Sequence, residues 1–268
     1  MIIELKYSNT NTYLVKGNGG YILFDTGWAG TFSAFCKALH EAGIKAQDIE
    51  YLLISHFHPD HMGIAQEIAN LGVGIVIADV QQGYVHSCDS IFEKDKEKSF
   101  IPIDDKKIRV ISADESRYFL REIGLDGEIL HTPGHSDDSI SLWLDEGVLL
   151  VGDLNPLYEL ELHTGTQIAK SWEALLKRNP KRIYYGHAKT ALLDASKEEN
   201  TNIEKSGDRL YNLVQTIMKC IDKGYTVDKI RKKLEVDGTF IEDVMRMYLT
   251  HRNVGVQGIL DRIEIKDK

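Results

Sequence analysis

The segment His56-Phe57-His58-Pro59-Asp60-His61 packs four metal-ligand side chains into six residues, directly after the apolar run Tyr51-Leu52-Leu53-Ile54. That run reads as a buried strand with Ser55 at its exit. Met62 to Asn70, with Ile64, Ala65, Ile68 and Ala69 on one face, reads as the helix that follows. Three imidazoles and a carboxylate on such a strand-to-helix loop cannot all stay dry and unpaired. A divalent cation satisfies them together, and this donor set suits zinc, iron or manganese.

Three further apolar runs end in the same way. Glu128-Ile129-Leu130-His131 leads into Thr132-Pro133-Gly134-His135, Val148 to Val151 into Gly152-Asp153, and Arg182 to Tyr185 into Gly186-His187. Each is an apolar strand, then a glycine that permits a sharp turn, then a ligand-type residue. Strand ends hold side chains to the tolerance that a metal demands. The donors His56, His58, Asp60, His61, His135, Asp153 and His187 exceed the needs of one ion and suit two. The expected partition gives His56, His58 and His135 to one metal and Asp60, His61 and His187 to the other, with Asp153 bridging.

HFHPDH, TPGHS, VGD and YGH, preceded by FDTG at Phe24 to Gly27, together resemble the metallo-β-lactamase fold superfamily from about Met1 to Ala195. The resemblance implies an α/β fold, a four-layer αββα sandwich with the metals at one edge between two sheets. It also implies a second role for Asp25 as support beside the metals, against a bland reading as a strand-to-turn carboxylate. Asp153 at the bridging position departs from true metallo-β-lactamases, and His58 departs from flavodiiron proteins. The pattern is closer to hydroxyacylglutathione hydrolases, acyl-homoserine lactonases and metal-dependent nucleases. Lactonases carry a tyrosine three residues after the bridging aspartate. Here Pro156 stands there, and the nearest tyrosine is Tyr158. The aromatic that follows the last histidine in hydroxyacylglutathione hydrolases is also missing, because Ala188, Lys189 and Thr190 follow His187.

The implied chemistry is hydrolysis of small esters, thioesters or lactones by a hydroxide shared between two divalent ions, zinc foremost, with iron or manganese as alternatives. Asp60 is the expected catalytic carboxylate as well as a ligand. Tyr158, His163 and Lys189 are substrate candidates. A phosphodiesterase or nuclease on the same donors, a mono-iron persulfide dioxygenase and a weakly catalytic regulatory protein are the alternatives.

The remaining sequence bounds the setting. A formal net charge of −9 disfavours nucleic acid as a partner without excluding it, so a small molecule is the expected one, and a homodimer is compatible with the chain. Cys36, Cys88 and Cys220 lie outside every motif and read as reduced thiols in a cytoplasmic protein. No apolar run approaches a membrane span, and Met1 to Gly20 shows no signal-peptide pattern. The expected organisation is a catalytic domain over 1–195 and a helical region over 196–268. In that region Leu210, Leu213, Val214, Ile217, Met218 and Ile221 form a helical stripe. Thr226 caps a second helix, and Thr239 with Glu242 suggests a capping box for a third over Phe240 to Thr250. Residues 93–98, EKDKEK, read as a solvated face or loop. A helix-turn-helix or winged-helix unit completed by Asn253 to Ile265 is the sharper reading of the tail.

Overall fold

Period-two alternation decides which way the strands face. In β2 (Thr12–Lys16), β3 (Tyr21–Phe24), β4 (Ile49–Leu53) and β5 (Gly74–Ala78), successive residues belong alternately to two different cores. Leu14, Leu23, Leu52, Ile75 and Ile77 pack on one face with Phe35, Leu39, Ile64 and Ile68 from the helical connections. Tyr13, Val15, Ile22, Phe24, Leu53 and Val76 pack on the other, against Ile129, Ile140, Leu142, Leu144 and Leu150. Strands buried on both faces are apolar throughout, and here the sheet has a second sheet on one side and helices on the other.

The computed structural model describes residues 1–93, 99–157, 160, 163–193, 208–236, 238–250, 255, 256 and 259. They form two compact units, Met1–Leu154 with Gly165–Leu193, and Asn155–Thr164 with Asp194–Lys268. Tyr158, the charge run over 94–98 and the expected domain boundary near Ala195 lie outside the described residues. The segment 155–164, expected as part of the catalytic region, groups with the second unit.

The first unit holds a six-stranded sheet in the order β1-β2-β3-β4-β5-β6, with β1 at Ile2–Leu5 and β6 at Ile108–Ile111. Pairs β3–β4, β4–β5 and β5–β6 are parallel. Their crossovers carry α1 (Phe32–Glu41), α2 (Pro59–Met62), α3 (Ala65–Ala69) and α4 (Asp89–Glu93). The second sheet runs β11-β10-β9-β8-β7, from Ala191–Leu192, Arg182–Tyr184, Val148–Leu150 and Ile140–Leu144 to Gly127–His131. Here β7 and β9 are both antiparallel to β8, and β10 is parallel to β9, so β7, β9 and β10 run the same way. This is the mixed two-sheet α/β architecture expected from the motifs.

Two local expectations change. The helix read over Met62 to Asn70 is two shorter ones, α2 starting at Pro59 and α3 at Ala65, so Asp60 and His61 sit on a helical turn and not on a loop. Proline at the first helical position starts α2 early. The break falls at Ile64, whose φ of −117° and ψ of 17° leave the helical region, and Gly63 before it packs so closely that a Cβ there would lie 2.3 Å from the Ala29 nitrogen. Three helices also escape the sequence reading, the short α4 and the longer α5 (Ala113–Glu122) and α6 (Gln167–Leu176). The Ser112 side chain caps α5 by accepting from Glu115 N, and Ile168, Trp172 and Leu175 bury one face of α6.

The second unit is built on α7 (Asp208–Asp222), α8 (Val227–Leu234) and α9 (Gly238–Thr250) around Val214, Ile217, Met218, Ile230, Ile241, Val244 and Met247. Thr226 caps α8 as expected, accepting from Lys229 N. The third helix starts at Gly238, which puts Thr239 inside its first turn instead of at its cap. Residues 253–265, needed for the winged-helix reading, lie outside the described residues apart from 255, 256 and 259. Among the described residues no helix is long and apolar enough to cross a membrane.

Candidate metal centre

Parallel strands deliver their carboxyl ends to one edge of a sheet, where clefts form. From these ends β3 supplies Asp25, β4 leads to His56, β7 to His135, β9 to Asp153 and β10 to His187. Hydrogen bonds join the two sheets at this edge. Ile140 N donates to Ser55 O at 2.8 Å, Asn11 N to Gly186 O at 2.7 Å, and Asn11 Nδ2 to Tyr185 O and Ala188 O at 3.0 and 3.1 Å.

All seven expected donors meet there. His56, His58 and His135 bring one nitrogen each within 4.8 Å of one another, as do the donor atoms of Asp60, His61 and His187. Asp153 stands between these two triads. Its Oδ1 is 3.2 Å from His61 Nε2 and 3.4 Å from His187 Nε2, while its Oδ2 is 3.5 Å from His135 Nε2 and 4.0 Å from His56 Nε2. Close approach is required for this. A Cβ on Gly186 would lie 2.5 Å from Asp153 Oδ1, and one on Gly152 would lie 2.4 Å from Ser55 Oγ.

Hydrogen bonds behind the rings fix their tautomers. His61 Nδ1 donates to Asp25 Oδ2 at 2.9 Å, and His187 Nδ1 donates to Asn9 O at 3.0 Å. Ser55 Oγ gives its only proton to Asp25 Oδ2 at 2.8 Å, so at 3.0 Å it accepts from His56 Nδ1. All three rings therefore turn Nε2 into the cluster. His56 Nε2, His61 Nε2 and Asp153 Oδ1 are buried there without a hydrogen bond, as donors awaiting a cation would be. His58 turns Nδ1 inward, 3.0 Å from His135 Nε2.

Asp25 is fully buried behind His61, accepting also from Ser55 N at 2.6 Å. Its φ of +63° is a left-handed conformation that costs a non-glycine residue about 1–2 kcal/mol, and its three hydrogen bonds hold it there. Thr10 Oγ1 donates to Asp60 O at 2.8 Å and fixes the turn that carries Asp60. Lys189 is exposed, and His163 belongs to the second unit. His131 donates or accepts nothing toward the donors; its Nε2 closes the His135 loop on Asp137 O at 2.8 Å.

Sequence reasoning missed three buried residues, Thr10, Gln81 and Asp138. Asp138 lies three residues after His135 inside the TPGHS-Asp-Asp run, where an acid in an otherwise buried loop was the available signal. Gln81 carried none, because it comes from a helical turn that no motif marks.

Without a cation, the charges in the cluster pull in opposite directions. Burial pushes His135 down to about 4, with the neighbouring His58 and His61 adding to it against the pull of Asp153. Burial likewise lowers His56 and His58. It also opposes charging His187, but Asp153 and the hydrogen bond to Asp60 outweigh it and raise that group to about 9. His61 is raised in the same way by Asp153, Asp25 and Asp60 against burial. For Asp60, burial is outweighed by His61 and His187, which hold it down at about 2.

Linkage then sets a sign on each side of the ordinary histidine value of about 6.5. His135 binds a proton more readily unfolded, so stability rises with pH between about 4 and 6.5. His187 binds one more readily folded, so stability falls between about 6.5 and 9. Chelator-treated protein should therefore show its highest urea midpoint near pH 6.5. Bound cations displace these protons, so the maximum should broaden on metal addition. A flat metal-free profile between pH 5 and 8 would contradict this.

A family model for the metallo-beta-lactamase superfamily matches residues 6–187, the stretch that carries every donor described above. The chain belongs to the metallo-beta-lactamase superfamily. Among curated relatives, it is 31% identical over 209 residues to a probable metallo-hydrolase of Methanocaldococcus jannaschii, covering 70% of this chain and 92% of that protein. It is 28% identical over 190 residues to a beta-lactamase-like protein 2 homolog of Caenorhabditis elegans, covering 66% of this chain. The match spans 55% of that relative's length and 58% of the length of its Drosophila melanogaster counterpart. Among solved structures, a metallo-beta-lactamase family protein from Thermus thermophilus superposes with a TM-score of 0.57 at 19% identity, covering 99% of this chain and 94% of that one. That likeness concerns the fold alone. Divalent metals belong to this superfamily, and the donor set found here fits them.

Proposed function

We propose that this chain is a two-metal hydrolase of small esters, thioesters or lactones. The observation that carries the two-metal reading is the division of Asp153, whose two oxygens face different triads. His56, His58 and His135 would hold one ion, Asp60, His61 and His187 the other, and Asp153 would hold both. Zinc is the foremost candidate, with iron or manganese as alternatives on the same nitrogen and oxygen donors. When bound, such ions supply Lewis acidity and lower the pKa of water towards neutrality.

The chain's own groups do the rest. Asp25, Asn9 and Ser55 hold the Nδ1 protons of His61, His187 and His56, which leaves Nε2 of each ring as the atom that would meet a metal. The Asp60 carboxylate, held by Thr10 and 3.0 Å from His187 Nε2, is the group placed to orient a nucleophile or carry a proton to the leaving group. No lysine or arginine is bonded to any of the seven donors among the described residues. A phosphodiester would call for such cations at the reacting charge, whereas a neutral acyl carbon does not. The net charge of −9 and the three free cysteines, of which Cys88 and Cys220 are buried, suit a small-molecule enzyme of the reducing cytoplasm.

A phosphodiesterase is the second reading. It is favoured by Lys229, Arg231, Lys232 and Lys233, all exposed on α8. Initial rates of metal-loaded protein on a chromogenic thioester and a chromogenic phosphodiester decide between the two. Turnover of the thioester alone is expected. Turnover of the phosphodiester alone would reject the acyl reading.

A further inference from the structure

Both backbone polar groups of Phe57, the residue between His56 and His58, are held. Phe57 N donates to Asp138 Oδ2 at 2.7 Å, and Phe57 O accepts from Cys88 Sγ at 2.9 Å. On the strand side, Ser55 O accepts from Ile140 N at 2.8 Å. Behind these lies Gln81, fully buried. Its Nε2 donates to Ile54 O at 3.0 Å and Asp138 O at 3.1 Å, with a longer approach to Ser55 O at 3.3 Å, while its Oε1 accepts from Ala78 N at 3.1 Å.

These contacts join two segments that are 81 residues apart in the chain. One is the exit of β4, which carries His56 and His58. The other is the loop after β7, which carries His135 and, three residues on, Asp138. The first triad is drawn wholly from these two segments. The second triad is held differently, by Asp25 on His61, Asn9 on His187 and Thr10 on Asp60.

We propose that Asp138, backed by Gln81, is the positioning residue of the His56–His58–His135 triad and has no comparable hold on the Asp60–His61–His187 triad. A carboxylate suits this task because a charge-assisted bond to a backbone N–H is short and strong. Fixing Phe57 N sets the spacing between the rings on either side of it, and the same residue anchors the loop that presents His135. The acid makes its bond to the backbone of a ligand loop and not to a donor ring, so its effect is one of geometry. The inference rests on the two-metal reading of the site.

The test is metal content per chain, by mass spectrometry after dialysis, together with the visible spectrum of the cobalt-loaded protein. It compares wild type, Asp138→Ala, Asp138→Asn and the double variant Asp138→Ala/His187→Ala. Wild type should hold two ions. Asp138→Ala should hold one, with the other bound about 10–100-fold more weakly, the usual loss when a supporting group behind a ligand is removed. The double variant should hold none tightly. Asp138→Asn keeps an oxygen that can accept from Phe57 N, so it should recover both ions and a cobalt spectrum near that of wild type. Should the alanine variant not fold, the asparagine variant is read with Gln81→Glu, which keeps the shape but removes donor hydrogens, and selective weakening of one ion is again expected. Two tightly held ions in Asp138→Ala, or equal loss of both from a variant that melts like wild type, would overturn the inference. A wild type that binds no divalent ion would overturn the two-metal reading and this inference with it.

Discussion

Replacing Asp153 with alanine is expected to remove at least one metal ion per chain and to lower kcat/KM about a thousandfold. Three features set that magnitude. Asp153 is the residue whose two oxygens reach both triads, at 3.2 and 3.4 Å on one side and 3.5 and 4.0 Å on the other. Its carboxylate lies well below the ordinary range, because the surrounding His187, His61 and His135 outweigh the effect of burial. Removing it leaves those imidazoles crowded around a missing negative charge. Metal-based charge stabilisation supplies several kcal/mol at the transition state, which converts to about three powers of ten in rate. Metal analysis and steady-state rates on the same preparation check both halves. Two retained ions in Asp153→Ala would refute the assignment of Asp153 as the bridge.

Replacing Asp25 with alanine is expected to be the most damaging change outside the donors themselves. The side chain is fully buried and accepts from Ser55 N, Ser55 Oγ and His61 Nδ1. Removing it strands three buried donors, and the loss of one partner from a buried charged network costs about 3–5 kcal/mol. Alanine bears the same cost of about 1–2 kcal/mol for the left-handed backbone at this position, so that conformation offsets none of the loss. A second effect reaches the site. With no acceptor at Nδ1, His61 is free to place its proton on Nε2, where it blocks a donor position, so metal affinity should fall about 10–100-fold. Asp25→Asn separates the two effects. Its amide can restore packing and one accepted bond, but an N–H₂ facing His61 Nδ1 favours the wrong tautomer. Asparagine should therefore recover much of the stability lost in alanine while metal affinity stays low. Recovery of both in Asp25→Asn would show that the carboxylate only fills space. Denaturation midpoints and metal titrations make the comparison.

The short-range features of this protein were legible because their causes are short-range. Each donor motif is a strand end, a turn and a ligand, and all three are written within a few consecutive residues. The strands themselves follow from apolar runs, and the α8 cap from one threonine placed before a helical stripe. Where the sequence reading slipped, a contact from elsewhere in the chain had the larger say. The chain at Gly63 packs against the backbone of Trp28 and Ala29, and the helical run is interrupted at the next residue, Ile64. The stripe at Ile168, Trp172 and Leu175 is buried in α6, where Ile168 packs at Gly134 and Ser171 Oγ donates to Pro133 O.

The chemistry of the donors was therefore set by the sequence alone, since imidazole and carboxylate groups keep their ligand character wherever they are placed. Which nitrogen of each ring faces inward was not. That depends on Asp25 and Asn9 arriving behind His61 and His187 from distant parts of the chain, and on Asp25 taking the Ser55 proton so that Ser55 accepts from the adjacent His56. The same holds for Asp138, which in sequence is one acid beside another and in the fold is the partner of Phe57 N. A tautomer or a loop position is decided by a hydrogen bond worth about 1 kcal/mol or more, and only tertiary packing determines which groups come within 3 Å.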